Sequence, residues 1–129
     1  MISLILVGAV SAYQPGDGHN HGKLSCGGTL TWQSRHVAIR AWRGRCGAPV
    51  LVCSDETGRC IYTTVEDSGP WGAVDRKGQW RVWPRHRLPR GWKRRGVVDL
   101  SPGAYRELGR PRFLSRVTVV VYRTGDGDV

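Results

Sequence analysis

From Val50 to Val65 the chain reads Val-Leu-Val-Cys53-Ser-Asp-Glu-Thr-Gly-Arg-Cys60-Ile-Tyr-Thr-Thr-Val, two β-favouring runs either side of a polar turn. That pattern specifies a hairpin and sets Cys53 opposite Cys60 across its two strands. The other two cysteines, Cys26 and Cys46, are each followed by glycine and are expected in adjoining loops, which gives the pairing Cys26–Cys46 and Cys53–Cys60. Zinc is the competing explanation, but the sequence holds no Cys-x-x-Cys or Cys-x-x-His pair and its cysteine gaps suit a metal poorly. Neither a metal nor a cofactor is expected. Disulfides place the chain in a secreted, periplasmic or extracellular setting, a virion included.

A length of 129 residues suits one domain spanning 1–129 with one hydrophobic core. Its 18 glycines and 7 prolines call for many tight turns, so a mainly β fold is expected. The stretch from Met1 to Ala12 is apolar with a small-residue end, like a signal peptide, yet it lacks the basic start. Its Val7 to Tyr13 portion reads as a first barrel strand, the preferred reading, and the apolar run is too short to cross a bilayer. No membrane span is expected.

Further along, Gln14 to Gly28 forms a polar, glycine-dense loop that includes His19 and His21, a candidate rim. His36 to Trp42 reads either as a short strand or as one helical turn. Glu66-Asp-Ser-Gly-Pro-Trp-Gly72 is a turn, and 73–96 reads as a long insertion without an element of its own. Gly96 to Leu100 is strand-like. Ser101 as N-cap, Pro102 at the first helical position and Gly109 as the stop punctuate a short helix in which only Gly103 is out of place. Arg116 to Arg123 is the clearest strand, and 124–129 is expected to fray.

The formal net charge of +10 is unevenly spread. Between Arg76 and Gly96 stand nine cations and no acid, while the other eleven cations face ten acids. The basicity therefore belongs to one segment, which also carries Trp80, Trp83 and Trp92. Aromatic faces stack on sugar rings and arginines attract carboxylates and phosphates, which suits peptidoglycan or another anionic polysaccharide. The same ingredients suit single-stranded nucleic acid, here the lesser expectation, as well as packing of the tryptophans or contact with a protein partner through the basic loop.

Taken in order, the glycine-rich loop, the Cys-Gly turn before a strand, Val65-Glu-Asp-Ser-Gly-Pro-Trp-Gly72 and Val97-Val-Asp-Leu-Ser-Pro-Gly-Ala-Tyr-Arg-Glu-Leu-Gly109 resemble the rare-lipoprotein-A-like domain, related to expansins and barwins. The likeness runs from about Val7 to Arg123. Asp67-Ser-Gly-Pro-Trp71 is similar to that family's Asn-Asp-Arg-Gly-Pro-Phe, and Val98-Asp-Leu-Ser101 to its Ile-Asp-Leu-Ser. The resemblance implies a six-stranded double-psi β-barrel with one or two short helices and a groove carrying two aspartates. Asp67 would match the acid implicated in glycan cleavage by the lytic members, and Asp99 the acid that expansins need for wall loosening without hydrolysis. Two departures stand out. With Cys46-Gly-Ala-Pro-Val50 set against the family's Phe-Gly-Thr-Arg-Val, the lytic members' histidine falls at Ala41, and their Gly-Glu falls at Gly27-Gly28.

Cleaving a glycosidic bond needs a proton delivered to the leaving oxygen, which a carboxyl can do near neutrality only if its environment raises its pKa. Asp67 is the candidate acid/base and Asp99 a second groove acid, the two catalytic candidates, and Trp71, Trp80, Trp83, Trp92, Arg94 and His36 are the substrate-binding ones. The plain alternatives are that Asp67 only forms a turn, that Asp99 only caps or braces backbone, and that His36 is packed. Three functions follow: lytic-transglycosylase-like cleavage of peptidoglycan, an expansin-like binding module without catalysis, and a structural barrel in an extracellular or phage particle. A fold alone does not choose among them.

Overall fold

The computed structural model describes residues 1–17 and 22–124, so His19, His21 and the tail 125–129 lie outside it. Six strands close into a barrel. In chain order the elements are β1 (Ile2–Ala12), β2 (Val37–Ala38), β3 (Pro49–Ser54), β4 (Cys60–Asp67), β5 (Gly72–Val74), β6 (Trp80–Val82), β7 (Gly96–Leu100), α1 (Pro102–Glu107) and β8 (Arg116–Tyr122). Around the barrel they run β1, β7, β2, β4, β3, β8, while β5 and β6 form a separate two-stranded sheet. β1 with β7 and β2 with β4 are parallel pairs, and every other barrel pair is antiparallel. This is the double-psi β-barrel that the family resemblance implies.

Alternation builds the interior. Val117, Val119 and Val121 of β8 point inward, as do Val50 and Val52 of β3 and Ile61 and Val65 of β4. Each such side chain stabilises the fold by about 1.5–3 kcal/mol on burial. The Cys53–Cys60 hairpin forms in register, with the two cysteines as direct partners, and Cys26 joins Cys46.

Three local expectations are corrected. β1 begins at Ile2, well before Val7, because β8 extends far enough to pair Tyr122 with Ile2. The 73–96 segment is not devoid of elements: β5 and β6 pair across a tight turn in which Asp75 Oδ1 accepts the Lys77 and Gln79 amides, both at 2.9 Å. Ser101 stands at the N-cap of α1 without capping it. Its fully buried hydroxyl donates to the Ser34 carbonyl at 2.7 Å and accepts the His36 amide at 2.8 Å. It thereby fastens the chain entering β2 to the end of β7. His36 to Trp42 holds a two-residue strand rather than a helical turn.

The odd glycine in α1 has the same origin. Gly103 donates its amide to Ser34 O at 2.7 Å, and a Cβ there would meet that oxygen at 2.7 Å and Gln33 O at 3.2 Å. Glycine to alanine inside a helix normally gains up to about 1 kcal/mol. Here the backbone clash dominates, so Gly103→Ala should lower stability by about 1–3 kcal/mol in urea unfolding with the disulfides intact. A variant as stable as the parent would show that the Ser34 carbonyl moves aside freely.

Candidate functional site

The register of the shortest strand assembles the site. Ala38 of β2 is the partner of Asp67 on β4 and of Asp99 on β7, and Asp99 is in turn the partner of Ser11 on β1. The two aspartates thus flank β2, their backbones two strand spacings apart, roughly 10 Å. Both line one open cavity of about 710 Å³. One bank of it comes from the loop after β1, with Tyr13, Lys23 and Ser25; the other comes from the 70–86 region, with Trp71, Trp80 and His86.

Asp99 is a perturbed acid. Burial is the main cause that pushes its pKa up to about 7; the nearby negative charges of Asp67 and Asp17 add to it, against a hydrogen bond from the Ser11 hydroxyl at 3.2 Å. The residue keeps a partial opening to the cavity. Asp67 is held differently. Its Oδ1 accepts the amides of Ser25 at 2.8 Å and Ser68 at 2.9 Å, which draws the 24–28 loop onto the end of β4. The Cys26–Cys46 disulfide and the Ser25–Ser68 hydroxyl contact at 2.8 Å reinforce that junction. Asp17, the third acid of the cavity, accepts the Gln14 amide at 3.1 Å.

The remaining sequence candidates separate into two groups. Trp71 and Trp80 line the cavity. His36 does not: it is 5% exposed and sits behind Tyr13, its Nε2 2.6 Å from the Tyr13 hydroxyl. Burial pushes the His36 pKa down and the Tyr13 pKa up, with the charges of Asp67 and Asp99 raising Tyr13 further, so the pair is neutral. Trp83 and Trp92 pack edge to face at 5.4 Å and give the insertion its own small core, away from the cavity lining. Arg94 is a fastener. Its guanidinium donates to Trp71 O at 2.9 Å, to Trp83 O at 2.8 Å and to Arg85 O, and lies 5.2 Å from the Trp71 ring centre.

Several lining residues escaped the sequence reading. Ser11 lies near the end of β1 and Tyr13 just beyond it, Trp42 carries the Arg43 guanidinium 4.9 Å from its ring centre, and His86 meets Trp71 edge-on at 5.2 Å. Arg40 was also missed. It donates to Pro70 O and Gly96 O, both at 2.7 Å, and so locks the Gly-Pro turn to β7. Only the position of Tyr13, directly before the glycine-rich loop, offered a signal for any of these. Among the described residues no three His, Cys, Asp or Glu side chains gather as a metal site would require, and no helix is long and apolar enough to cross a membrane.

The acidity of Asp99 has a consequence for stability. Below its ordinary value of 3.8 the acid is protonated folded or unfolded, and no penalty exists. As pH rises towards about 7 the unfolded chain ionises while the folded one resists, so stability falls, and above that the loss is constant. Asp99→Asn removes the effect: its stability relative to the parent should climb by about 2–4 kcal/mol between pH 4 and pH 8 in chemical denaturation. A difference that stays level with pH would assign Asp99 an ordinary acidity.

No protein-family model matches the chain, and no curated protein matches it in sequence. Solved structures do resemble it. A Streptomyces papain inhibitor superposes with a TM-score of 0.59 at 21% identity, covering 95% of this chain and 97% of its own. The apo expansin of Clavibacter michiganensis gives 0.57 at 18% identity, over 93% of this chain and 51% of that one. An aspartate-to-asparagine mutant of the same expansin, in complex with cellohexaose, gives 0.55 at 19%, again over 93% and 51%. The chain therefore spans about half of each expansin chain and nearly all of the inhibitor. What these proteins have in common with it is the double-psi β-barrel fold.

Proposed function

We propose that this barrel binds a cell-wall polysaccharide strand along the groove and acts on it through Asp99. The observation that carries the reading is the Asp99 carboxyl, with a pKa of about 7, in a cavity walled by Trp42, Trp71 and Trp80. A general acid serves best when its pKa lies near the working pH, and indole faces suit the C–H faces of sugar rings. The expansin that was crystallised with cellohexaose supports sugar binding in this fold. Peptidoglycan is the polymer of this reading, since the cations of the insertion beside the groove suit its carboxylates.

One carboxyl suffices for lytic transglycosylation. Asp99 gives its proton to the glycosidic oxygen as the bond from that oxygen to C1 breaks. The carboxylate left behind takes the proton of the same sugar's 6-hydroxyl as that oxygen closes on C1, leaving a 1,6-anhydro end and the acid restored. Asp67 and Asp17 each have an oxygen engaged by backbone amides, so in this scheme they hold loops and add negative potential.

Incubation with purified peptidoglycan and with microcrystalline cellulose tests the proposal. The chain should sediment with peptidoglycan and release 1,6-anhydro products, with release lost in Asp99→Asn and sedimentation kept. Sedimentation without product removes the cleavage step and leaves an expansin-like binding module. No sedimentation with either polymer removes the whole reading. The end-to-end match to a papain inhibitor favours a second reading, blockade of a cysteine protease, which undiminished papain activity at tenfold molar excess of the chain would eliminate.

A further inference from the structure

Two neighbouring aromatic rings that line the groove are left exposed. Phe113, from the loop before β8, is 62% exposed, and Trp80, from β6, is 41% exposed. Their ring centres are 5.4 Å apart at an interplanar angle of 73°, and both line the main cavity. In this edge-to-face contact the rings stand nearly at right angles, so the pair forms a corner rather than a closed stack.

Both sides of the corner are held rigidly. Phe113 lies between Arg110 and Leu114, non-glycine residues with φ of 53° and 65°. A left-handed leucine costs roughly 1–2 kcal/mol and persists only where its surroundings enforce it. Here Leu114 donates its amide to Val10 O at 2.7 Å, and Arg112 is gripped by Glu56 through both its amide and its Nε at 2.9 Å. On the other side of the corner Trp80 lies over Gly72, where any Cβ would come within 1.9 Å of the indole. The corner also adjoins the acid. Phe113 shares a small cavity of about 120 Å³ with Ser11 and Ala12, and Ser11 is the strand partner and hydrogen-bond donor of Asp99.

We propose that Trp80 and Phe113 form a ready-made subsite that takes the C–H face of one pyranose ring and seats that ring beside Asp99. The inference rests on the polysaccharide reading above and adds a binding position to it. Rigid aromatic surfaces gain affinity because little freedom is lost when the sugar arrives. The strained loop before β8 is there to present Phe113, and the insertion is there to present Trp80.

Calorimetric titration of the intact chain with cellohexaose and chitohexaose tests this. Phe113→Ala should raise Kd about tenfold for whichever hexasaccharide binds, as expected for loss of one aromatic contact. Phe113→Leu, which keeps apolar bulk without the aromatic face, should lose nearly as much. The double variant Trp80→Ala/Phe113→Ala should lose clearly less than the two single losses combined, because both rings serve one sugar. Thermal melting should stay within about 2 °C for the Phe113 variants, since their side chain is mostly in water. Binding by the parent with Phe113→Ala within twofold of it overturns the subsite while leaving the polysaccharide reading intact. Binding of neither hexasaccharide by the parent, with no sedimentation on the insoluble polymers, overturns both.

Discussion

A two-residue strand sets the geometry of everything above it. Val37 and Ala38 alone bridge β7 to β4, and both are essentially without solvent exposure. Because side chains alternate along a strand, a slip of one residue would turn Asp67 or Asp99 away from the groove and into the barrel. So short a strand cannot hold its own register by ladder bonds, and side chains do it instead. The Ser101 hydroxyl ties Ser34 and His36, while the Thr63 hydroxyl donates to Arg35 O at 2.6 Å. Two buried hydroxyls, Ser101 just past β7 and Thr63 on β4, thus fix the entry to β2 from both sides.

Arginines do the corresponding work above the barrel. Arg40, Arg94 and Arg76 each direct guanidinium donors at main-chain carbonyls, all of them outside the strands except Gly96 O at the start of β7. Burial lowers the pKa of both Arg40 and Arg94, the cost of drawing a charged group into the protein, and the multiple hydrogen bonds offset it. Part of the basic excess is therefore mortar. The cations left for solvent or a ligand are those such as Lys77, Arg85, Arg87 and Arg90, which have no acid partner among the described residues.

Much of the fold could be read from the chain because it follows local rules. The cysteine-bounded hairpin, the alternating valines of β8 and the Pro102 to Gly109 helix each declare themselves within a dozen residues. The site was legible where motifs were borrowed by resemblance, at Asp67, Asp99 and Trp71, and where the composition of the basic segment singled out Trp80. Their division of labour was not. Whether an aspartate faces backbone amides, as Asp67 does, or a hydroxyl in a desolvated corner, as Asp99 does, depends on a loop and a strand brought in from 42 and 88 residues away. Ser101 illustrates the same limit: its neighbours in sequence predict a helix cap, and its neighbours in space use it as a cross-strand tie. Trp83, Trp92 and Arg94 had the right composition for ligand contact, yet they are consumed in making the insertion a stable body.

That body stands apart from the closed ring of strands in one respect. β5 and β6 hydrogen-bond to each other and not to any barrel strand, so the six staves close without them. The arrangement resembles a vice with a fixed bed and a detachable jaw: the bed carries Asp99, and the jaw carries Trp80. Exchange of the segment between the Gly-Pro turn and β7 would then reshape the groove wall while the core valines and both disulfides stayed as they are.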